Sequence, residues 1–281
     1  MGEIISSESD NNRKIGLGGI LSSSAKTPNE IRKESFLSWI KNMFCPNFKY
    51  SSIIFILASL NLIIYVITLL FGIKLTPNEL LAPKFETLDL FGMKNPPKIY
   101  KGQIYRLISF GFLHANLVHL TTNLISLIVI GSIMEGLIGN IKAGLLYLLS
   151  NICGGMFSCV MDINPGVGAS VAVFGILGGY LGFAIINWDY IKRNNKSFFI
   201  NLIFIIFIVL MNAAYGINNP TIDNNGHFGG LIYGFFFIFI LVKPKDQNYN
   251  SLWLNYEDWR KYSIIFISIS LFLLVFKFWI I

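Results

Sequence analysis

Charged residues and cysteine are scarce in this 281-residue chain. Only 13% of the residues are charged, whereas 54% are hydrophobic and the mean hydropathy is +0.60, which excludes an ordinary soluble domain. Three cysteines, Cys45, Cys153 and Cys159, cannot build a disulfide framework, and no Cys or Cys–His spacing indicates zinc. We therefore expect no metal and no cofactor. The net charge is +7, but the sequence contains no basic groove module and no aromatic RNA-binding motif. We therefore expect no nucleic-acid partner.

Long apolar runs occupy most of the remaining sequence. Seven of them reach or approach the roughly 20 residues that a membrane-spanning helix needs, at 52–73, 114–134, 142–162, 170–188, 198–216, 227–243 and 262–281. The sequence therefore predicts an all-α polytopic protein embedded in a lipid bilayer. The first 50 residues are polar and begin without a signal sequence, so we expect a cytosolic, partly disordered tail and an uncleaved first span.

The distribution of Lys and Arg predicts the orientation, because basic residues collect in cytosolic loops. With the N-terminus in the cytosol, 15 of the 22 basic residues fall on the cytosolic side, and the C-terminus is lumenal or extracellular. The loop at 74–113 is the exception, because it carries six basic residues on the opposite side. A loop of that length is usually functional or packed at the bilayer interface.

All three histidines lie in or at the mouth of apolar segments. His119 and Asn123 are four residues apart, so on a helix their side chains share a face and can offer two donors to one point. His114 precedes them, and we expect it to hold the junction between the loop and the helix. A hydrogen bond between helices explains any single histidine equally well. Three together at predicted lumenal helix ends, with Ser170 nearby, indicate a reaction centre.

Ser170 follows a segment with one proline and two glycines, 164–169, and precedes an apolar run. This pattern predicts an irregular loop and a helix that begins at Ser170. Irregular backbone at membrane depth is tolerated where it lines a cavity, and the positive end of a helix dipole suits a developing oxyanion. The alternative is that Ser170 is an ordinary helix N-cap.

Glycines form one face of two predicted spans, and small residues at helical spacing let two helices approach closely. Gly175, Gly178 and Gly182 lie in the fourth span, and Gly230 and Gly234 lie in the sixth. If these faces pack together, the first residue of the fourth span and His227 come within reach of each other. A serine nucleophile, a histidine base and two side-chain donors are the groups needed for acyl transfer.

Four segments carry a resemblance to a known family: HANLVHLTTN (114–123), GSIMEGLIG (131–139), GASVAVFG (168–175) and GHFGGLIYG (226–234). In this order and in these apolar contexts they resemble the rhomboid family of intramembrane serine proteases. The resemblance covers about 52–243. It implies a tail at 1–50, a six-helix rhomboid catalytic core at 51–243, and a cytosolic linker with a seventh membrane helix at 244–281, which is typical of eukaryotic secretory-pathway rhomboids.

The resemblance also implies roles for individual residues. Ser170 would be the nucleophile and His227 the general base of a dyad without a carboxylate. His119 and Asn123, with the Ser170 backbone N–H, would stabilise the oxyanion. Two further positions would support the site, His114 and Gly168.

The chain departs from the family pattern at two positions. Val171 stands where the family usually has glycine after the serine, so a branched side chain enters the helix contact beside the dyad. Tyr105 stands where the family has tryptophan before an arginine, here Arg106. Glu135, flanked by Gly131 and Gly139, matches the end of the family's second helix.

Two other functions remain open at this stage. Val171 suggests a rhomboid-like pseudoprotease that binds membrane clients without cutting them. A transporter or channel is suggested only by intramembrane polar residues and lacks paired interrupted helices, and a zinc protease is excluded because no HExxH motif is present.

For an active protease, the resemblance implies single-pass transmembrane substrates, and a location in a secretory organelle or the plasma membrane. The richness in Asn, Ile, Lys, Phe and Tyr is typical of proteins from AT-rich genomes. Together with the six-plus-one helix layout, it favours an apicomplexan member of the family. In that case, surface adhesins are the expected substrates.

Overall fold

The computed structural model describes residues 52–76, 79–194, 198, 202–203, 206–207, 222–245 and 255–280. Within these ranges the helices are α1 Ile53–Phe71, α2 Phe85–Leu90, α3 Pro96–Tyr100, α4 Arg106–Ser109, α5 Leu117–Ile138, α6 Asn140–Met161, α7 Ser170–Ile186, α8 Trp188–Asn194, α9 Asn224–Leu241 and α10 Tyr256–Ile280. The predicted tail, Cys45 and most of the predicted fifth span lie outside the described residues.

Five of these helices, α1, α5, α6, α9 and α10, are long and apolar enough to cross a membrane, and α7 is a shorter apolar helix of 17 residues. Six of the seven predicted spans are thereby matched within the described part of the chain. The fold class is confirmed: this is an all-α, multi-pass integral membrane protein. Its only described sheet is a short hairpin of β1 Ile73–Thr76 and β2 Glu79–Pro83, which pair antiparallel.

The long loop between α1 and α5 is a folded layer that contains this hairpin, α2, α3 and α4. It exposes large apolar side chains, including Leu90 and Ile104, which fits a segment packed at the bilayer interface. The side-chain amide of Asn151 in α6 donates to the Leu107 carbonyl at 3.0 Å and fixes the layer to the helix bundle.

Arg106 organises the interior of this loop. Its buried guanidinium donates to Gln103 Oε1 at 2.7 Å, to the Met93 carbonyl at 2.9 Å and to Asp89 at 3.2 Å. Lys98 also binds Asp89. Partial burial raises the pKa of the Asp89 carboxyl, but the Lys98 hydrogen bond and the Arg106 charge outweigh burial and hold the pKa below its ordinary value of 3.8.

Glu135, near the end of α5, caps the beginning of α1. Its carboxylate accepts from the Ile53 N–H at 3.0 Å and from the Ser52 hydroxyl, so it satisfies donors that have no partner within α1. Gly131, one turn earlier, leaves room for Ile54, which would lie 2.9 Å from a Cβ at that position. The Gly131 and Glu135 positions therefore dock α1 onto α5.

The predicted packing of the two glycine faces is confirmed. A Cβ on Gly234 of α9 would lie 1.9 Å from the Gly175 carbonyl oxygen, and a Cβ on Gly178 of α7 would lie 1.9 Å from the Leu231 carbonyl oxygen. Neither position accepts a side chain without separating the helices. The backbones of α7 and α9 are therefore in direct contact along these faces.

Candidate active site

Ser170 is the first residue of α7, as predicted, and its side chain does not cap the helix. The N-cap is Ala169, so the alternative interpretation of Ser170 as an N-cap is wrong. Instead, Ser170 Oγ lies 2.7 Å from His227 Nε2, within the range of a short hydrogen bond. The glycine faces of α7 and α9 bring these two helix beginnings together.

The imidazole of His227 stacks on Phe174, with ring centroids 4.5 Å apart and an angle of 8° between the ring planes. Phe174 is four residues after Ser170, so it lies on the same face of α7 one turn further along. The ring fixes the orientation of the imidazole next to the serine. Sequence reasoning missed this residue, although its spacing from Ser170 was available as a signal.

Two polar side chains, His119 and Asn123, approach the backbone just before Ser170, at Gly168. Gly168 has φ of 129°, and a Cβ there would lie 2.8 Å from His119 Nε2 and 3.4 Å from Asn123 Nδ2. Asn123 is buried, and its amide nitrogen has no hydrogen-bond partner among the described residues. Two potential donors therefore face the backbone at Gly168, and they can lie this close because residue 168 has no side chain.

The tautomer of His119 suits donation from Nε2 toward Gly168. Asn116 caps α5 by accepting from the His119 backbone N–H at 2.8 Å, which fixes the start of the helix. The Ala115 N–H approaches His119 Nδ1 at 3.5 Å. Because Nδ1 accepts this hydrogen bond, the proton of the neutral imidazole is on Nε2. Nε2 is therefore the donor that faces Gly168.

His114 is fully buried and packs edge-on against His119, with ring centroids 5.2 Å apart. Its contact with His119 places it behind that ring, at the junction between the long loop and α5.

The segment that precedes Ser170 is fixed to the long loop at two points. The Gly168 N–H donates to the Phe110 carbonyl at 3.0 Å, and Lys94 exchanges two backbone hydrogen bonds with Gly166 at 2.9 and 3.0 Å. The long loop therefore sets the path of the backbone into α7. Nothing in the local sequence around Lys94 indicated this contact.

Val171 fits between the helices without displacing Ser170. It is buried, and its side chain fills space left by three glycines: a Cβ on Gly154 would lie 2.6 Å from Val171 Cγ1, one on Gly226 2.9 Å from Cγ2, and one on Gly230 3.3 Å from Cγ1. Gly229, next to Gly230 in α9, instead faces Phe157 and Gly154.

Among the residues that the structure describes, no cluster of three or more His, Cys, Asp or Glu side chains could hold a metal ion. The polar loop at 216–226 precedes His227, and its Gly, Asn and Pro content predicts a mobile cap over the site. Residues 216–221 of this loop lie outside the described residues.

Residues 101–244 match the sequence profile of the Rhomboid domain. Rhomboid-like protease 2 of Toxoplasma gondii is 34% identical over 201 residues, which cover 71% of this chain and 68% of that protein. RHOMBOID-like protein 5 of Arabidopsis thaliana is 36% identical over 175 residues, which cover 61% and 55%. Rhomboid protease GluP of Bacillus subtilis is 37% identical over 162 residues, which cover 57% and 30%.

The chain spans about half the length of the plant relatives that it matches. The profile match covers just over half of the chain and includes both glycine faces, Ser170 and His227. The protein therefore belongs to the rhomboid family.

Proposed function

We propose that this protein is an intramembrane serine endopeptidase that cleaves single-pass transmembrane proteins within or near their membrane segment. The observation that carries the proposal is the 2.7 Å contact between Ser170 Oγ and His227 Nε2, next to two donors that converge on Gly168. Relatives named as proteases in Bacillus subtilis and Toxoplasma gondii support the same activity.

In the proposed mechanism, Ser170 Oγ attacks the scissile carbonyl carbon while His227 Nε2 accepts the hydroxyl proton. The resulting oxyanion accepts hydrogen bonds from His119, Asn123 and the Ser170 backbone N–H. His227 then returns the proton to the leaving amine as the acyl-enzyme forms. A water molecule hydrolyses the acyl-enzyme by the reverse sequence of proton transfers.

We further propose that the reaction takes place near the non-cytosolic surface. The site lies where α5, α7 and α9 begin, whereas Lys192 and Arg193 follow the end of α7, and basic residues mark the cytosolic side. In this orientation the tail at 1–50 is cytosolic, 51–243 form the catalytic core, and 244–281 contribute a cytosolic linker and a final span that ends outside the cytosol. A secretory organelle or the plasma membrane, and adhesin-like substrates, fit this orientation.

The proposal is tested by labelling the detergent-purified protein with a serine-directed fluorophosphonate probe. The parent should label, whereas Ser170→Ala and His227→Ala should not. Ser150→Ala is the matched control, because Ser150 is a buried serine of α6 outside the dyad, and it should label like the parent. Equal labelling of the parent and Ser170→Ala would refute the assignment.

A pseudoprotease that binds clients without cutting them is the competing function. Its main support in the sequence was Val171, which is accommodated by glycines while the Ser170–His227 contact stays short. A folded parent that does not label would favour this function. Cleavage of co-expressed single-pass reporter proteins, lost in Ser170→Ala, would exclude it.

A further inference from the structure

Lys94 is a buried cation in the long loop, and it lies outside the groups used in the proposed reaction. The residue is 1% exposed, and its ammonium binds Asp223 Oδ2 at 2.5 Å and the hydroxyl of Ser158. Ser158 donates in turn to Asp223 Oδ1 at 2.6 Å. Three polar side chains from the loop, α6 and the start of α9 therefore form one closed network.

This network joins the two helices that carry the dyad. The backbone of Lys94 pairs with Gly166, four residues before Ser170. Its side chain holds Asp223, four residues before His227, and Asp223 is the N-cap of α9, accepting from the Gly226 N–H at 2.8 Å. One residue of the loop thus fixes the approach to α7 and the first turn of α9 at the same time.

Stability alone does not account for a buried pair of opposite charges. Removing two charges from water is costly, and an apolar pair of similar volume often stabilises a protein as well or better. What the charged pair adds is a defined geometry, because the carboxylate accepts from the ammonium, the Ser158 hydroxyl and the α9 N-terminus together.

We propose that the Lys94–Asp223 pair is a positioning pair that sets the Ser170–His227 distance, an inference that rests on the proposed protease function. Neither residue touches the reacting atoms. Lys94 holds the backbone leading to Ser170, Asp223 holds the backbone leading to His227, and their ion pair fixes one against the other.

A second catalytic centre at the same place is excluded by the geometry. Ser158 and Lys94 form a serine–lysine pair, but Ser158 is fully buried, so no substrate reaches its oxygen. Its hydroxyl proton is directed to Asp223 and its oxygen accepts from Lys94. The pair therefore has a structural geometry and no room for an acyl group.

The decisive variant is the double substitution Lys94→Met with Asp223→Asn. Asparagine is as good an N-cap as aspartate, so it keeps the bond to α9, and methionine fills the space of the lysine stem. No uncompensated buried charge remains, so the double variant should fold with an unfolding temperature close to that of the parent. Lys94→Met alone leaves Asp223 unpaired and should unfold at a lower temperature.

Labelling by the fluorophosphonate probe is measured as a function of probe concentration and time. We expect the double variant to label about 10–100-fold more slowly at saturating probe, because misplacing a reacting group by about 1 Å costs roughly that much. The probe concentration for half-maximal rate should stay unchanged, since the binding pocket is intact. Lys98→Met is the matched control: it removes a loop lysine whose partner is Asp89, and it should label at the parent rate.

The outcomes separate the two proposals. A folded double variant that labels at the parent rate would overturn the positioning role and leave the protease assignment intact. A slower rate that appears equally in Lys98→Met would also overturn it, because the effect would then belong to the loop in general. If the folded parent does not label, or if the parent and Ser170→Ala label equally, the protease function is refuted. The positioning role is then refuted with it.

Discussion

The substitution Gly154→Ala tests whether the dyad depends on the close contact of α6 with α7 and α9. The new Cβ would lie 2.6 Å from Val171 Cγ1 and 2.7 Å from the Gly230 backbone nitrogen. The second distance is about 0.7 Å inside the 3.4 Å at which ordinary van der Waals contact begins. Because a backbone atom cannot rotate away, α9 must move from α6.

This movement acts close to the reacting groups. Gly230 is less than one turn from His227, and Val171 is adjacent to Ser170, so a shift of a few tenths of an ångström lengthens the 2.7 Å contact of the dyad. We expect labelling by the fluorophosphonate probe to fall by about 10²-fold. Overpacking of this kind costs about 1–3 kcal/mol of stability, so the variant should remain folded with a lower unfolding temperature.

Gly144→Ala is the control for this experiment. It places the same methyl group on a buried face of the same helix, where the nearest atom is Ile53 Cγ1 at 3.1 Å, in a side chain of α1. That side chain can adjust, so labelling should stay near the parent rate. Adding Val171→Ala to Gly154→Ala removes one of the two clashes and should restore part of the rate. Labelling of Gly154→Ala at the parent rate would refute the reasoning.

Three further changes test separate parts of the structure. Phe174→Ala removes the ring stacked on the dyad imidazole and should slow labelling by about 2–10-fold, while Phe174→Tyr should stay near the parent, because such a pair contributes about 0.5–1.5 kcal/mol. Gly168→Ala should slow labelling by about 10²-fold, because its Cβ would lie 2.7 Å from the His119 ring. Asp89→Asn should lower the unfolding temperature at about pH 7. Since the folded pKa of Asp89 lies below 3.8, that difference should shrink as the pH falls from about 5 through the folded pKa, and a difference independent of pH would contradict the ion-pair account.

The membrane helices and the contact between Ser170 and His227 were predictable from sequence because each has a local signal. Apolar length predicted α1, α5, α6, α9 and α10, and glycine spacing predicted which faces of α7 and α9 meet. The contact between Ser170 and His227 follows from those faces, since each residue lies at the beginning of its helix.

The support around the dyad has no such signal. Gly154 lies on α6, and nothing in its local pattern showed that it provides the space for Val171. The hairpin and three short helices of the long loop were likewise not predicted, because their formation depends on buried partners such as Arg106 and Asn151. Contacts between distant segments come from tertiary packing, which periodicity within one segment does not encode.

Lys94 and Asp223 illustrate the same limit at the site itself. Each is a single charged residue in a polar stretch, and in the sequence each is indistinguishable from a solvated loop residue. In the fold their side chains form an ion pair although they are 129 positions apart in the chain. The pair lies between the backbone that leads to Ser170 and the backbone that leads to His227. A Ser–His dyad without a carboxylate has no acidic group that holds the histidine by a hydrogen bond. Apart from the stacked ring of Phe174, its geometry must come from the backbone that carries it. The buried ion pair supplies that constraint from outside the reacting groups.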